Sequence, residues 1–404
     1  MKGKIGGIIL YCVGNVLICY FFHLFPVWLF MTVCIGALAL PIFFRLFARA
    51  TRYETEFYEM TTYMDQLICS YKRTGHIHLA LHDCCAIFDK ETKIYHALQK
   101  ALCILETGEG VTSGTVMASA LREISKLYNS RRIKLLHRFL CQIEKMGGEI
   151  AEALDILMTD LQMWKRRTIL YKERKKVVYK EYVVSVVLAV LLCLFSHVLM
   201  PSDILAKVEK MTIYQLSTSV VIEVFVGLSL LLLFLMATSW LDFRWSEDKA
   251  IEIEFSYWIL AVTVYLQSNR VYCALSQSLE EVSGQFRARV EKLLEDIYEK
   301  PNSLKPYLQF YGEKNLPEIH TGMKLLYSVN QNGYQDTKKQ VKLLVEQNQL
   351  LMEQCEKTMF ENRVALFCLF KQMPMVIAGA KIVVDVISFL YVMARQVSLL
   401  TPMN

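Results

Sequence analysis

The chain has 404 residues, of which 54% are hydrophobic and 21% charged, and its formal net charge is +6. This composition is too apolar for an ordinary soluble protein and too charged for a pure membrane bundle. The positive charge does not indicate a nucleic-acid-binding protein, because the aromatic residues are not interleaved with the basic cluster as base stacking requires.

Five apolar segments are predicted to cross a membrane as helices. A spanning helix needs about 20 apolar residues, and four segments come close to or exceed that length with at most one charged residue each. These are Ile5–Phe22, Leu24–Phe44, Tyr182–Met200 and Ile213–Leu241. The fifth, Met373–Ala394, contains Lys381 and Asp385. We therefore expect a multi-pass protein of the cell membrane.

The stretch between the second and third spans is predicted to form a bundle of helices. No proline occurs between Pro41 and Pro201, so glycine marks the interruptions. Gly75 is predicted to end the first helix, and Asp89 to cap a later helix that reaches Leu105.

A second glycine turn, formed by Gly147 and Gly148, precedes the longest predicted helix. The sequence from Glu149 to Met200 favours one unbroken helix, about 75 Å long at 1.5 Å per residue. Its middle is charged and its end is apolar. We expect this helix to join the bundle to the third span.

The segment after the fourth span is predicted to be a degenerate copy of this bundle. GHIHLAL (Gly75–Leu81) corresponds to NRVYCAL (Asn269–Leu275), and KMGGEIAEALDIL (Lys145–Leu157) to QNGYQDTKKQVKLL (Gln331–Leu344). One glycine of the second turn remains as Gly333. Repetition on this scale indicates one duplicated unit. Three prolines are expected to interrupt the centre of the copy: Pro301, Pro306 and Pro317.

The predicted fold is an all-α membrane protein, in which two repeated cytoplasmic helical-bundle domains alternate with about five transmembrane helices. The predicted domains are residues 1–48 (first hairpin), 49–181 (first helical domain), 182–242 (second hairpin), 243–371 (second helical domain) and 372–404 (last span and tail). The helical domains are placed in the cytoplasm because basic residues cluster just before the third span. These are Lys165, Arg166, Arg167, Lys172, Arg174, Lys175, Lys176 and Lys180.

This basic run has two interpretations. The favoured one is a topology signal that also attracts anionic lipid, at about 1 kcal/mol per charge near the membrane surface. The other is a docking surface for an acidic patch on a partner protein.

Charged residues inside predicted spans are costly in hydrocarbon and should face protein or water. Lys381 and Asp385 are four residues apart and can pair on one helix face, while Glu223 lies in the fourth span. They indicate either a structural tie between the fourth and fifth spans, which we favour, or a functional role as a contact for another transmembrane helix or as an ion path.

Sites for metal, nucleotide and catalysis are weakly indicated. His78, His82, Cys85 and Asp89 would line one stripe of a helix and can all bind zinc, but a semi-polar helix face is the favoured interpretation. The glycines of Gly108–Gly114 lack the spacing and the preceding strand of a dinucleotide loop. The chain also lacks the G-x-S-x-G and H-E-x-x-H motifs, so we expect no enzymatic activity and no cofactor.

The glycine-then-AL helix at Gly75, the turn GGEIAEAL (Gly147–Leu154) and the charged helix that enters a span resemble the type II secretion system F domain family. Within that family the chain is most similar to the platform proteins of tight-adherence (Tad/Flp) pili. The resemblance covers about residues 50–200 well and 250–394 weakly.

This resemblance implies a non-catalytic inner-membrane platform for a type IV-like pilus or a type II secretion filament. It implies three kinds of protein partner: a separate cytoplasmic assembly ATPase, pilin-like filament subunits, and a second platform subunit or another copy of this chain. Membrane lipid is a further expected partner, and nucleic acid is not. The alternative is a membrane transporter or channel with cytoplasmic helical regulatory domains, which would place polar residues near mid-membrane in several spans.

Overall fold

The described part of the protein is helical throughout. The computed structural model describes residues 26–108, 116–128, 130–146, 151–221, 224, 227, 247–314, 316–331 and 334–400. These residues contain helices and connecting turns but no β-strand, and the predicted all-α class is confirmed for them.

Fourteen helices have both of their bounds within the described residues. They are α1 (Pro26–Thr74), α2 (Ile77–Cys85), α3 (Lys93–Thr107), α4 (Val116–Ser125), α5 (Arg131–Met146), α6 (Ala151–Val198), α7 (Ser202–Val208), α8 (Glu247–Tyr265), α9 (Val271–Ser278), α10 (Gly284–Glu299), α11 (Lys305–Gln309), α12 (Pro317–Gln331), α13 (Tyr334–Lys371) and α14 (Met373–Leu400). A short 3₁₀ turn, Leu279–Glu281, follows α9, and residues 212–221 are also helical.

The chain divides into two compact units. The polar unit consists of Thr55–Ile169 and Phe243–Phe360, and the apolar unit of Met1–Glu54, Leu170–Asp242 and Glu361–Asn404. The two segments of the polar unit, which we call its first and second halves, lie mostly within the two predicted helical domains. Buried apolar side chains from both halves form one connected core, so these two domains pack together as a single unit.

Two helices in the described part of the chain are long and apolar enough to span a membrane. They are α6 and, within α14, Met373–Ser398. In the most apolar stretch of each, only 22% and 28% of the residues are buried. Such large exposed apolar faces are unusual in water and fit a lipid surround. The first predicted span and most of the fourth lie outside the described residues, and the span at 24–44, most of which forms the start of α1, stays a prediction.

Local sequence signals set the helix ends in the first half. Gly75 ends α1 as predicted, with φ +67° and its N–H donated to the Tyr71 carbonyl at 2.8 Å. The prediction that Asp89 caps the next long helix was wrong. Thr92 caps α3 instead, because its hydroxyl accepts the N–H of Tyr95 at 3.3 Å, and the Asp89 carbonyl accepts the N–H of Thr92 in the preceding turn.

Proline sets the boundaries in the second half, as expected. Helix α10 ends at Glu299, just before Pro301; Pro306 lies in the first turn of α11; and Pro317 begins α12. Proline suits a first helical turn because its missing N–H would have no helical partner there.

Each half contains four helices of 5 to 16 residues followed by one long helix. Helices α2 to α6 have 9, 15, 10, 16 and 48 residues, and α9 to α13 have 8, 16, 5, 15 and 38. In each half a side-chain bond joins the second residue of the helix before the long one to the long helix: Arg132 of α5 bonds to Asp160 of α6, and Gln347 of α13 bonds to Glu318 of α12.

Candidate functional site

A buried arginine lies where the two halves of the polar unit meet. Arg132 is only 6% exposed and donates from Nε to one oxygen of Asp160 at 2.6 Å and from Nη2 to the other at 3.2 Å. Its Nη1 donates to the hydroxyl of Tyr257 in the second half at 3.3 Å, and Nη2 lies 3.6 Å from Glu356. The Trp164 ring lies 4.5 Å from the guanidinium, at cation–π distance.

This environment keeps the arginine charged. Burial acts to lower the pKa of Arg132, but the adjacent Asp160 carboxylate and the groups from the second half raise it above its ordinary value. A buried cation with a bidentate carboxylate and a ring on its face satisfies most of its donors.

Further polar contacts continue across the same boundary, which we call the seam. Arg131 lies 3.5 Å from Glu254, and Arg167 pairs with Glu356. Arg138 lies 2.8 Å from Glu281 and donates to the Glu280 carbonyl at 2.6 Å. The Gln142 side-chain amide donates to that of Gln277 at 2.9 Å. In every ion pair that the described residues form across the seam, the cation belongs to the first half and the anion to the second. Burial acts to lower the pKa of Arg138, but Glu281 and Glu280 raise it above its ordinary value.

A small cavity with polar and apolar walls lies within the seam. It has a volume of about 20 Å³ and is lined by Arg131, Arg132, Leu135, Tyr257, Leu260, Ala261 and Glu281. That volume holds about one water molecule, so the cavity is suited to a bridging water rather than to an organic ligand.

A buried histidine lies inside the first half. The Nε2 of His137 lies 2.8 Å from the Tyr63 hydroxyl, and its Nδ1 lies 2.7 Å from the Ser125 hydroxyl. Burial lowers the pKa of His137 to about 3, so the imidazole is neutral at physiological pH. Both ring nitrogens are bonded within the core of the first half, which favours a structural role.

The apolar unit contains a chain of polar groups. Lys381 and Asp385 pair on α14 as their spacing predicts, with side chains 1% and 2% exposed. Asp385 accepts the Ser196 hydroxyl of α6 at 2.9 Å, and the Lys381 ammonium lies 4.0 Å from the Tyr214 ring centroid. The Tyr214 hydroxyl lies 3.0 Å from Nδ1 of His197.

These contacts favour the structural interpretation of the pair. A partner helix could not touch Lys381 or Asp385 without displacing the side chains around them. The Lys381–Tyr214 contact joins the fifth predicted span to the start of the fourth, as the favoured interpretation has it, and the bond from Ser196 adds the third predicted span, which was not predicted. Glu223, the other predicted intramembrane charge, lies outside the described residues.

The proposed zinc stripe is not assembled. Helix α2 ends at Cys85, so Asp89 does not share a helix with His78 and His82. His78 lies 3.3 Å from Glu106, and burial raises the pKa of the Cys85 thiol, which disfavours the thiolate that metals bind. Among the residues that the structure describes, no group of three His, Cys, Asp or Glu side chains is placed to hold a metal ion.

The residues of the basic run before the third predicted span differ in their surroundings: some form ion pairs, one is buried and others are exposed. Ion pairs join Lys165 to Asp65, Arg167 to Glu356 and Lys172 to Glu54. Lys175 is buried with its ammonium 4.1 Å from the Tyr171 ring. Arg166, Arg174, Lys176 and Lys180 are exposed, so these four are best placed to meet lipid or a partner.

The second glycine turn cannot be compared with its prediction. Gly147, Gly148 and Gly333 lie outside the described residues, as do residues 109–115 of the glycine-rich loop. The described parts of helices α6 and α13 begin shortly after these glycines, at Ala151 and Tyr334.

No protein-family model, curated protein or solved structure matches the chain. The resemblance to the type II secretion system F domain family therefore stays a prediction, supported by the short motifs and their arrangement.

The seam was missed by the sequence analysis. Arg131 and Arg132 begin an amphipathic helix, where adjacent arginines are typical of a solvated surface. The only available signal was that position 132 falls in register with Ile133, Leu136 and Leu140 on the buried face of α5, which a helical projection of that segment could have revealed.

Proposed function

We propose that this chain is a non-catalytic membrane platform for the assembly of a type IV-like (Tad/Flp) pilus or a type II secretion filament. In this proposal the polar unit is cytoplasmic and binds a separate assembly ATPase, while the apolar helices contact filament subunits in the membrane. The observation that carries it is the pairing of two helical halves in one polar unit. The first half continues into α6, and the last helix of the second half is followed by α14; both α6 and α14 are long and apolar enough to span a membrane.

The duplication predicted from the sequence is part of this proposal. Two observations support the duplication. The helices of the two halves follow a similar order, and a side-chain bond joins α5 to α6 in the first half and α12 to α13 in the second. Arg132 with Asp160 and Glu318 with Gln347 occupy corresponding positions in the two halves. A duplicated helical scaffold suits a protein that holds several partners at once, because it offers two related surfaces.

Exposed cysteines allow the orientation to be tested. Cys69, Cys103 and Cys273 are exposed on the polar unit. A membrane-impermeant maleimide should leave these three thiols unlabelled in intact cells and label them after lysis, with the modified peptides identified by mass spectrometry. Labelling in intact cells would overturn the cytoplasmic placement.

Partner capture tests the platform role directly. A photo-crosslinking residue at Tyr298, which is 78% exposed on the polar unit, should capture a protein that carries a nucleotide-binding P-loop. The same residue at Ile387, which is 61% exposed on α14, should capture a small membrane-anchored filament subunit. Position Trp258, which is fully buried, serves as the non-capturing control.

Loss of the chain gives the second arm of the test. Deletion of the gene should abolish a surface filament or a secreted product, and the wild-type chain should restore it. Intact filaments and unchanged secretion after deletion, together with no capture of a P-loop protein, would refute the platform proposal.

A second candidate, a transporter or channel, would rest on the buried Lys381–Asp385 pair. Paired charges inside an apolar segment are a common feature of ion paths. Reconstituted protein should show no ion flux across vesicles if the platform proposal holds, and flux abolished by Asp385→Asn would favour the transporter.

A further inference from the structure

The chemistry of the seam is asymmetric. Its cations, Arg131, Arg132, Arg138 and Arg167, come from the first half, and its anions, Glu254, Glu280, Glu281 and Glu356, come from the second. Oppositely charged faces steer two bodies together and fix their register more than they add affinity. The seam therefore has the character of a recognition surface that lies beside the apolar core shared by the two halves.

The buried cation does not depend on the second half for its main partner. Arg132 holds a bidentate bond to Asp160, which belongs to the same half. If the halves separate, this pair stays intact and is hydrated. For Arg132, the usual obstacle to opening a buried salt bridge, a stranded charge, is therefore absent.

The contacts of the seam differ in their access to water. The side chains of Arg131, Arg138 and Glu280 are 46%, 38% and 73% exposed, whereas those of Glu254, Glu281, Arg167 and Glu356 are between 9% and 19% exposed. Exposed ion pairs are weak individually and are screened by salt, while buried ones are screened much less. Interfaces between parts of one chain allow relative motion unless they are large and hydrophobic, so the shared apolar core restricts the expected motion to loosening of the exposed edge of the seam.

We propose that the seam is a reversible, charge-steered latch between the two halves of the polar unit, tight at low ionic strength and loosened when its exposed ion pairs are screened. The partner of the basic face of α5 and α6 is the acidic face of α8, the 3₁₀ turn and α13. This inference concerns motion between the halves and holds whether or not the chain is a filament platform.

Hydrogen exchange on the full chain in detergent tests the latch. Raising the salt from about 0.05 M to about 0.5 M shortens the screening length severalfold and should speed exchange in α5 and α8 on the order of tenfold. Helix α3, which contributes no contact to the seam in the described structure, should not respond. Equal exchange at both salt concentrations would overturn the proposal.

Charge reversal supplies the specific arm. Arg138→Glu should raise exchange in α5 and α8 already at low salt, and the double variant Arg138→Glu with Glu281→Arg should restore slow exchange. Arg287→Glu is the matched control, because Arg287 forms an exposed ion pair with Glu291 within the second half. If the double variant exchanges as fast as the single one, the effect is damage to the fold and the latch is refuted.

A covalent tie separates opening of the seam from local fraying. The side-chain amides of Gln142 and Gln277 are 2.9 Å apart across the seam, so Gln142→Cys with Gln277→Cys places two thiols that a flexible bis-maleimide can join. The neighbouring Cys141 and Cys273 are replaced by Ser in this protein. The crosslinked form should lose its response to salt and the form without crosslinker should keep it; a response that survives crosslinking would overturn the proposal.

Discussion

The stability of the polar unit should fall on mild acidification because of one residue, His137. The unfolded chain binds a proton on this imidazole near its ordinary pKa of 6.5, whereas burial lowers the folded pKa to about 3. Between these values protons bind the unfolded chain preferentially. The folded state is therefore favoured fully above the unfolded pKa and loses free energy as the pH falls through this window.

The size of the effect follows from the two pKa values. Each pH unit inside the window changes the free energy of unfolding by about 1.4 kcal/mol. Lowering the pH from about 7 to about 5 crosses some 1.5 units of it, so His137 alone should remove about 2 kcal/mol. This change in the free energy of unfolding depends little on the pKa of His137 in the folded chain, provided that this pKa stays below about 5, the lower pH of the experiment.

The assay is urea unfolding of the full chain in detergent at both pH values, followed through Trp164 and Trp258 of the polar unit. His137→Gln cannot titrate but can still bond to Tyr63 and Ser125. The variant should be less stable than wild type near neutral pH. On acidification from about pH 7 to about pH 5, its free energy of unfolding should fall by about 2 kcal/mol less than that of wild type. His96→Gln, at an exposed position, is the control and should follow wild type. An equal acid response in wild type and His137→Gln would refute the reasoning.

Three further substitutions test the helix ends and the intramembrane pair. Gly75→Ala should destabilise the polar unit by about 1 to 2 kcal/mol because φ is +67° there while the space around it is open; urea unfolding measures this. Thr92→Ala should cost about 1 kcal/mol in the same assay through the lost cap of α3, and Thr92→Ser should not. Lys381→Met should strand the Asp385 charge and cost about 3 to 5 kcal/mol of stability, whereas the double variant that adds Asp385→Leu should recover most of this loss. Thermal unfolding in detergent compares the single and the double variant, and an equal loss of stability in the two would contradict the pairing.

The helix boundaries could be predicted largely because they depend on local chemistry. Gly75 ends α1 through a backbone conformation that favours glycine, and Pro317 begins α12 where proline is tolerated. The Asp89 prediction failed by three positions, because Thr92 offers an equivalent oxygen and the chain between them forms a turn. Two neighbouring residues able to cap a helix cannot be ranked without knowing where the first turn packs.

The seam could not be predicted because it depends on contacts between distant parts of the chain. Arg132 and Glu356 are separated by more than 200 residues, and neither differs in local context from an ordinary surface charge. Lys381 and Asp385 are the contrasting case, since charges inside an apolar segment are already conspicuous in the sequence. Their spacing predicted their pairing, but not the bond to Ser196, which again depends on tertiary packing.

The two buried ion pairs follow the same physical logic. Lys381 finds its counter-ion one helical turn away on α14, and Arg132 finds Asp160 within its own half. Each charge can therefore be neutralised before the final packing step, which avoids moving a lone charge into a medium of low polarity. The later contacts, Ser196 in one case and Glu356 in the other, then recognise a pair that is already formed. Because the pair is already formed, packing around it selects one arrangement of helices even when the later bond, from Ser196 or Glu356, is weak. The seam can therefore be specific in its register and still loosen when its exposed ion pairs are screened.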